Sequence, residues 1–295
     1  KGMLNGERLM YYVLVIGAAV SFGLQFFFNK LYQRENGSSL RTAVIFALGT
    51  SLVCAAAMLC IQKFRVEFTP YSFFLSVLSA IILVLYTFCS IKAMEKINLS
   101  LYTMFGMLGG MILPFLVGIF GYGEELTAKK IISAVLVLFS LALGTNYKAG
   151  HKAIFYGIAV FFLNGMIGVL STVHQAEAQF NVSSASFMFL KSVSTAALCL
   201  CMLIFLKRPK QSHERKPSFI KISVSISGYG IMNGLGNFLV LVALDFIDAS
   251  LQYTLLTGGT ILVSAAISFL MKEKFTPKTI VSVVVAFGSA AVMIF

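Results

Sequence analysis

Ten apolar runs, separated by short charged or turn-forming clusters, take up almost the whole of this chain. They fall at 9–29, 40–61, 71–92, 99–121, 128–146, 153–174, 184–206, 219–243, 249–271 and 276–295. The hydrocarbon core of a bilayer takes roughly 20 apolar residues of helix to cross. In lipid, backbone N–H and C=O groups need partners within the chain, so runs of this length form helices. The pattern therefore predicts an all-α integral membrane protein with ten transmembrane helices, multi-pass in the cell membrane. Composition enters as a check on this. Of 295 residues, 58% are hydrophobic and 12% charged, with mean hydropathy +0.90, whereas a soluble domain of this length needs a charged surface. The opening "KGMLNGERLM" leads straight into a full-length run, so no cleavable signal peptide is expected.

The formal charge of +12 comes from 23 Lys/Arg against 11 Asp/Glu. These basic residues are scattered over the connections, without the aromatic-basic face that stacks bases, so nucleic acid is excluded as a partner. Lys and Arg in the loops of a membrane protein face the cytoplasm as a rule. Cys54, Cys60, Cys89, Cys199 and Cys201 all lie inside apolar runs and form no CxxC or Cys/His spacing. A disulfide frame and a zinc site are both unexpected on that pattern, and the cysteines read as packing residues.

The two halves of the chain resemble each other. "KAMEKINLSLY" at 92–102 echoes "VALDFIDASLQ" at 242–252, and "GEELTAKKI" at 123–131 echoes "KEKFTPKTI" at 272–280. Glu124 then corresponds to Glu273, and Gly109-Gly110 to Gly258-Gly259. "NGSS" at 36–39 parallels "NVSS" at 181–184. The division is into residues 1–147 and 148–295, five helices each. Five is odd, so the second copy enters the membrane from the opposite side. Inverted repeats of this kind support alternating access around a site at the midplane. On this map Glu124 and Glu273 lie at opposite faces.

Polar side chains inside membrane helices are costly and mark candidate sites. The alternative for each is an interhelical hydrogen bond of ~0.6–2 kcal/mol. The candidates are Gln25, Asn29, Tyr86, Tyr102, Asn164, His174, Asn233, Asn237, Gln252 and Thr257. Asn233 and Asn237 are four apart and share a helix face. The sharpest is Lys191, about seven residues into "SSASFMFLKSVSTAALCLCMLIFL" at 183–206, with Ser194 and Thr195 on the same face. It either extends back to pair with Glu177 or faces a central cavity and attracts an anionic substrate. Gly106/Gly110 and Gly230/Gly234 have the GxxxG spacing of close helix approach, and Pro114 marks a bend. Asn36, Asn98 and Asn181, each in an Asn-x-Ser sequence, read as caps at the starts of helices two, four and seven. His151, His174 and His213 are scattered, and no carboxylate pair sits at mid-membrane, so neither a catalytic set nor a cofactor or metal site is expected.

With its order of helices and motifs, the chain resembles the ten-helix drug/metabolite transporter superfamily, in its EamA-like branch, over essentially its whole length. The family's Trp-Gly, Asn-Phe and terminal Lys of the first helix correspond to Phe22-Gly23, Gln25-Phe26 and Lys30. Its Trp-Gly pair in helix six corresponds to Asn164-Gly165. Its Gly-Glu-Arg-Leu-Thr appears as Gly123-Glu124-Glu125-Leu126-Thr127 and again as Lys272-Glu273-Lys274-Phe275-Thr276, and its basic residue in helix seven falls on Lys191. The chain has no Trp, and Met111 and Thr260 stand where prolines are usual. The resemblance implies a secondary transporter of small organic metabolites such as amino acids, exporting or exchanging, with the candidates above lining its cavity. A monomer or weak dimer in the bilayer is expected. A membrane-embedded enzyme and a channel or structural subunit are the alternatives. Six Lys/Arg flank the side holding the termini and sixteen the other. The charge rule therefore puts the termini outside, whereas the family's habit is termini inside.

Overall fold

The structure is a computed structural model that describes residues 5–122, 127–144, 151–177, 179–180, 182–206, 218–244, 249–273 and 277–294. These residues form ten α-helices: α1 Asn5–Asn36, α2 Leu40–Ile61, α3 Pro70–Lys96, α4 Leu99–Tyr122, α5 Ala128–Gly144, α6 His151–Ala176, α7 Ser184–Phe205, α8 Phe219–Leu244, α9 Ala249–Leu270 and α10 Pro277–Ile294. There is no strand among the described residues, so the all-α expectation holds. Five helical stretches, Tyr12–Asn36, Leu40–Ile61, Pro70–Lys96, His151–Gln175 and Ser184–Phe205, are long and apolar enough to cross a membrane.

One limit moves for a local reason. The first apolar run ends at 29, where Lys30 breaks it, but α1 continues to Asn36 because Lys30 and Arg34 pair with Glu273, and Glu35 pairs with Lys221. The caps also differ in part. Asn98 accepts a hydrogen bond from Leu101 N–H at the start of α4, as expected. The α2 cap is instead Ser39, which accepts from Thr42 N–H. Asn36 closes α1, its amide donating to Tyr32 O. The three-residue connection leaves Asn36 on the helix behind it, and Ser39 next to the first free N–H groups. Ser183 holds the cap position of α7, while Asn181 is outside the described residues. The helix α4 runs on through Pro114.

Polar contacts fix which helix ends lie together. At one end, Tyr71 of α3 donates to Val173 O of α6. Gln62, just past α2, accepts from Ser186 of α7, and Ser183 N–H donates to Glu67. At the other end, Arg41 of α2 donates to Leu206 O beyond α7, and Lys221 of α8 pairs with Glu35 of α1 at 2.6 Å. Glu273, past α9, pairs with Arg34 of α1 at 3.0 Å. We call these the first and second ends. Glu273 is at the second end, and Glu124 is outside the described residues.

The closest approach at a glycine among the described residues is that of α4 to α6. A side chain built on Gly109 would have its Cβ 2.0 Å from Phe161 O, and one on Gly165 would lie 2.7 Å from Gly109 O. The backbones themselves touch there. Gly106, by contrast, would meet nothing nearer than 3.8 Å. Of the expected GxxxG pair, Gly110 makes a close approach, its Cβ position 2.7 Å from Asn164 Nδ2, and Gly109 beside it is closer still. At Gly230 the expectation holds, with Val53 of α2 at 2.7 Å. The cysteines are free. Cys54 and Cys199 are buried, but Cys60 and Cys201 are exposed and so do not pack against other helices.

Candidate functional site

A cavity of about 400 Å³ lies among the helices and is lined by α1, α2, α3, α4, α6, α7, α8 and α9. Its lining reaches Gln175, an exposed residue at the first end of α6. The middle of α1 supplies Phe22, Gln25 and Phe26. The start of α7 supplies Ser184, Phe187, Met188, Lys191 and Ser192.

One wall is a face of α8. Tyr229, Asn233 and Asn237 are spaced by four and stand one above another, and all three line the cavity. Asn237 donates its amide to both Asn233 O at 2.7 Å and Asn233 Oδ1 at 2.9 Å. Tyr229 packs edge-on against Phe46 at 5.0 Å between ring centroids and accepts from Gln25 Nε2 at 3.1 Å. Gln25 is 6% exposed, and its Oε1 has no partner within the protein. An amide oxygen left so at a cavity wall is an open acceptor for a bound molecule or water.

Below this wall, toward the second end, the polar groups close on one another. Tyr86 lines the cavity and its hydroxyl is 2.9 Å from that of Tyr102. Tyr102 also bonds Ser90, and Ser90 accepts from Asn29 Nδ2 at 2.9 Å. Asn29 and Tyr102 are fully buried and not among the cavity-lining residues. They form the floor of the cavity. Opposite, Asn164 lines the cavity and donates to Gly106 O at 2.8 Å, fastening α6 to α4. Thr257 of α9 lines it as well. Gln252 lies in α9, but its side chain is outside those described.

Lys191 carries the charge of this site. It lines the cavity, its Nζ 6.0 Å from the centroid of the Phe187 ring. Glu177 is exposed and makes no ion pair with it, so the pairing weighed from the sequence is absent. Phe187 is in turn stacked on His174 at 3.9 Å and 13°, and the Tyr71 ring lies nearly parallel to the imidazole at 6.3 Å. His174 Nε2 is 3.0 Å from Ser72 Oγ. His174 thus orients Phe187 beneath the ammonium group. Of the polar positions after Lys191, Ser192 faces the cavity, while Ser194 and Thr195 lie outside its lining. Thr195 is held by its own helix, donating to Lys191 O.

The arrangement can bind a small molecule with an anionic group at Lys191, hydrogen-bonding groups toward Gln25, Tyr229 and the asparagines, and an apolar part against Phe22, Phe26, Phe187 and Met188. No group of three or more His, Cys, Asp or Glu side chains gathers among the described residues. Tyr229 was absent from the sequence candidates. Its signal was there to read, since it stands four residues before Asn233 on the same helix face, but a Tyr in an apolar run also suits pure packing.

No protein-family model matches the sequence, and no curated protein does. A solved structure described as "Crystal structure of protein" shares the fold, with a TM-score of 0.63 at 16% identity. The alignment covers 96% of this chain and 97% of that one.

Proposed function

We propose that the chain is a secondary transporter of small organic metabolites in the cell membrane, an EamA-like member of the drug/metabolite transporters. It works by alternating access between two inverted five-helix halves, residues 1–147 and 148–295. All ten helices cross the membrane in this reading. The observation that carries it is the cavity itself, built at the centre from helices of both halves and lined by an ammonium group with no ion-pair partner among the described residues. A cation left so at a low-dielectric site is offset when an anion arrives.

The pattern of helix contacts supports the repeat. Exchanging each helix for the one five places along turns α1–α8 into α6–α3, α1–α9 into α6–α4, and α2–α8 into α7–α3; all six pairs are packed. The pairs α2–α7, α4–α9 and α5–α10 map onto themselves, and all three are packed. A two-fold relation between the halves has this consequence.

Counterflow into liposomes tests the function. A transporter loaded with unlabelled substrate accelerates uptake of labelled substrate, an enzyme leaves a product, and a channel shows no acceleration. A thermal-shift screen of carboxylate-bearing metabolites supplies the substrate. The result against the proposal is a ligand that stabilises the protein and is never exchanged.

Orientation gives a further prediction. The second end, to which the ten-span map of the sequence assigns sixteen Lys/Arg, belongs in the cytoplasm by the positive-inside rule. Leu206 and Lys221 border the connection containing Gln211, and both are at that end. A single cysteine at Gln211 should therefore resist an impermeant maleimide in intact cells and react after permeabilisation. Strong labelling in intact cells reverses the orientation.

A further inference from the structure

Beneath the cavity floor, the second end holds the most buried set of charges among the described residues. Lys30 is 5% exposed. Its ammonium donates to Met94 O and, at 3.1 Å, to Ile97 O, where α3 gives way to α4. Glu273, whose side chain is 8% exposed, lies 3.5 Å from Lys30 and 3.0 Å from Arg34. The same carboxylate accepts from Leu99 N–H at 2.7 Å, the first residue of α4, and from Ser268 Oγ at 2.5 Å. One carboxylate from the second half thereby joins the end of α1 to the start of α4, both in the first half. Lys30 follows Asn29 directly, and Asn29 is in the floor network. Four residues of helix, about 6 Å at ~1.5 Å per residue, separate Lys30 from Phe26 in the cavity lining.

We infer that this cluster is the closed barrier of the second end, a clasp whose opening lets the cavity reach that side. The inference rests on the alternating-access reading. To expose Gln25 and Tyr86 from below, α9 has to part from α1 and α4, and Glu273 is the group that ties it to both. The sequence gives the clasp no duplicate. Its counterpart in the second half would use the end of α6, yet no Lys or Arg occurs between Lys152 and Lys191. Among the described residues the cavity lining reaches an exposed residue, Gln175, at the first end and stops above the clasp at the second. The state open at the first end is therefore the resting one, with substrate binding needed to release the clasp.

The test places one reporter cysteine, Thr87→Cys, in an otherwise cysteine-free chain. Thr87 lines the cavity one turn above Ser90. Its labelling by an impermeant methanethiosulfonate is followed from each side, in vesicles of known orientation. Labelling from the first end only is expected with the clasp intact. Glu273→Gln should raise the rate from the second end at least about tenfold and lower the rate from the first. Arg34→Gln removes one ion pair at a half-exposed site and should raise it about threefold. If Glu273→Gln fails to fold, Arg34→Gln decides alone. Folded variants with unchanged labelling from both sides overturn the clasp. Labelling needs no substrate, so the two ideas fail separately. A chain that never exchanges substrate but opens on Glu273→Gln loses the transport reading and keeps the clasp. One that exchanges substrate and does not open keeps transport and loses the clasp.

Discussion

Lys191→Met is expected to cut exchange of carboxylate-bearing substrates by about ten- to a hundredfold while leaving folding and insertion intact. The magnitude follows from losing one charge-assisted hydrogen bond, about 1.5–3 kcal/mol, at about 1.4 kcal/mol per factor of ten. Met retains the apolar stem over Phe187 and removes only the charge. The ammonium has no ion-pair partner among the described residues, so its removal strands no carboxylate there. A residue whose role was a buried ion pair would instead destabilise on truncation. Lys191→Arg should retain part of the activity, since it preserves charge but not the compact geometry. The measurement is counterflow beside a melting curve. Normal transport by Lys191→Met defeats the assignment, and so does a fall in Tm that accounts for the lost activity.

Gly109→Val should have the largest effect on stability. Its Cβ would lie 2.0 Å from Phe161 O, 2.6 Å from Phe161 C and 2.7 Å from Phe161 Cα. All three are backbone atoms, so no rotamer change makes room and α4 must move off α6. Overfilling a packed contact costs about 1–3 kcal/mol, and close backbone contact is itself what holds helices together in lipid. A fall in Tm of roughly 5–10 °C is expected on the usual scaling. Transport should fall with it, because Asn164 on the same face of α6 lines the cavity and bonds Gly106 O. Gly288→Val is the control, with nothing within 4 Å of its Cβ. Equal Tm values for the two variants contradict the contact.

Much of the architecture follows from the sequence alone. Apolar runs of bilayer length leave a helix as the stable backbone state, so the elements and most limits are legible from hydropathy. Polar groups stand out against such a background. Gln25, Tyr86, Asn164, His174, Lys191, Asn233, Asn237 and Thr257 were all found that way, and all line the cavity. What hydropathy does not encode is which neighbour each polar group meets. Asn29 and Tyr102 are chemically as suitable as Gln25, yet both are bonded to Ser90 in the floor and lie outside the cavity lining. Lys30 and Glu273 are 243 positions apart, and each looked like an ordinary charge at a helix end. The packing of α9 between α1 and α4 buries both and makes them one cluster. Tyr229 likewise became a site residue only when α8 was laid against α1, bringing its hydroxyl to Gln25. Helix formation is local, decided by the solvent around each segment, whereas pairing among polar groups depends on distances between segments that only the tertiary fold sets.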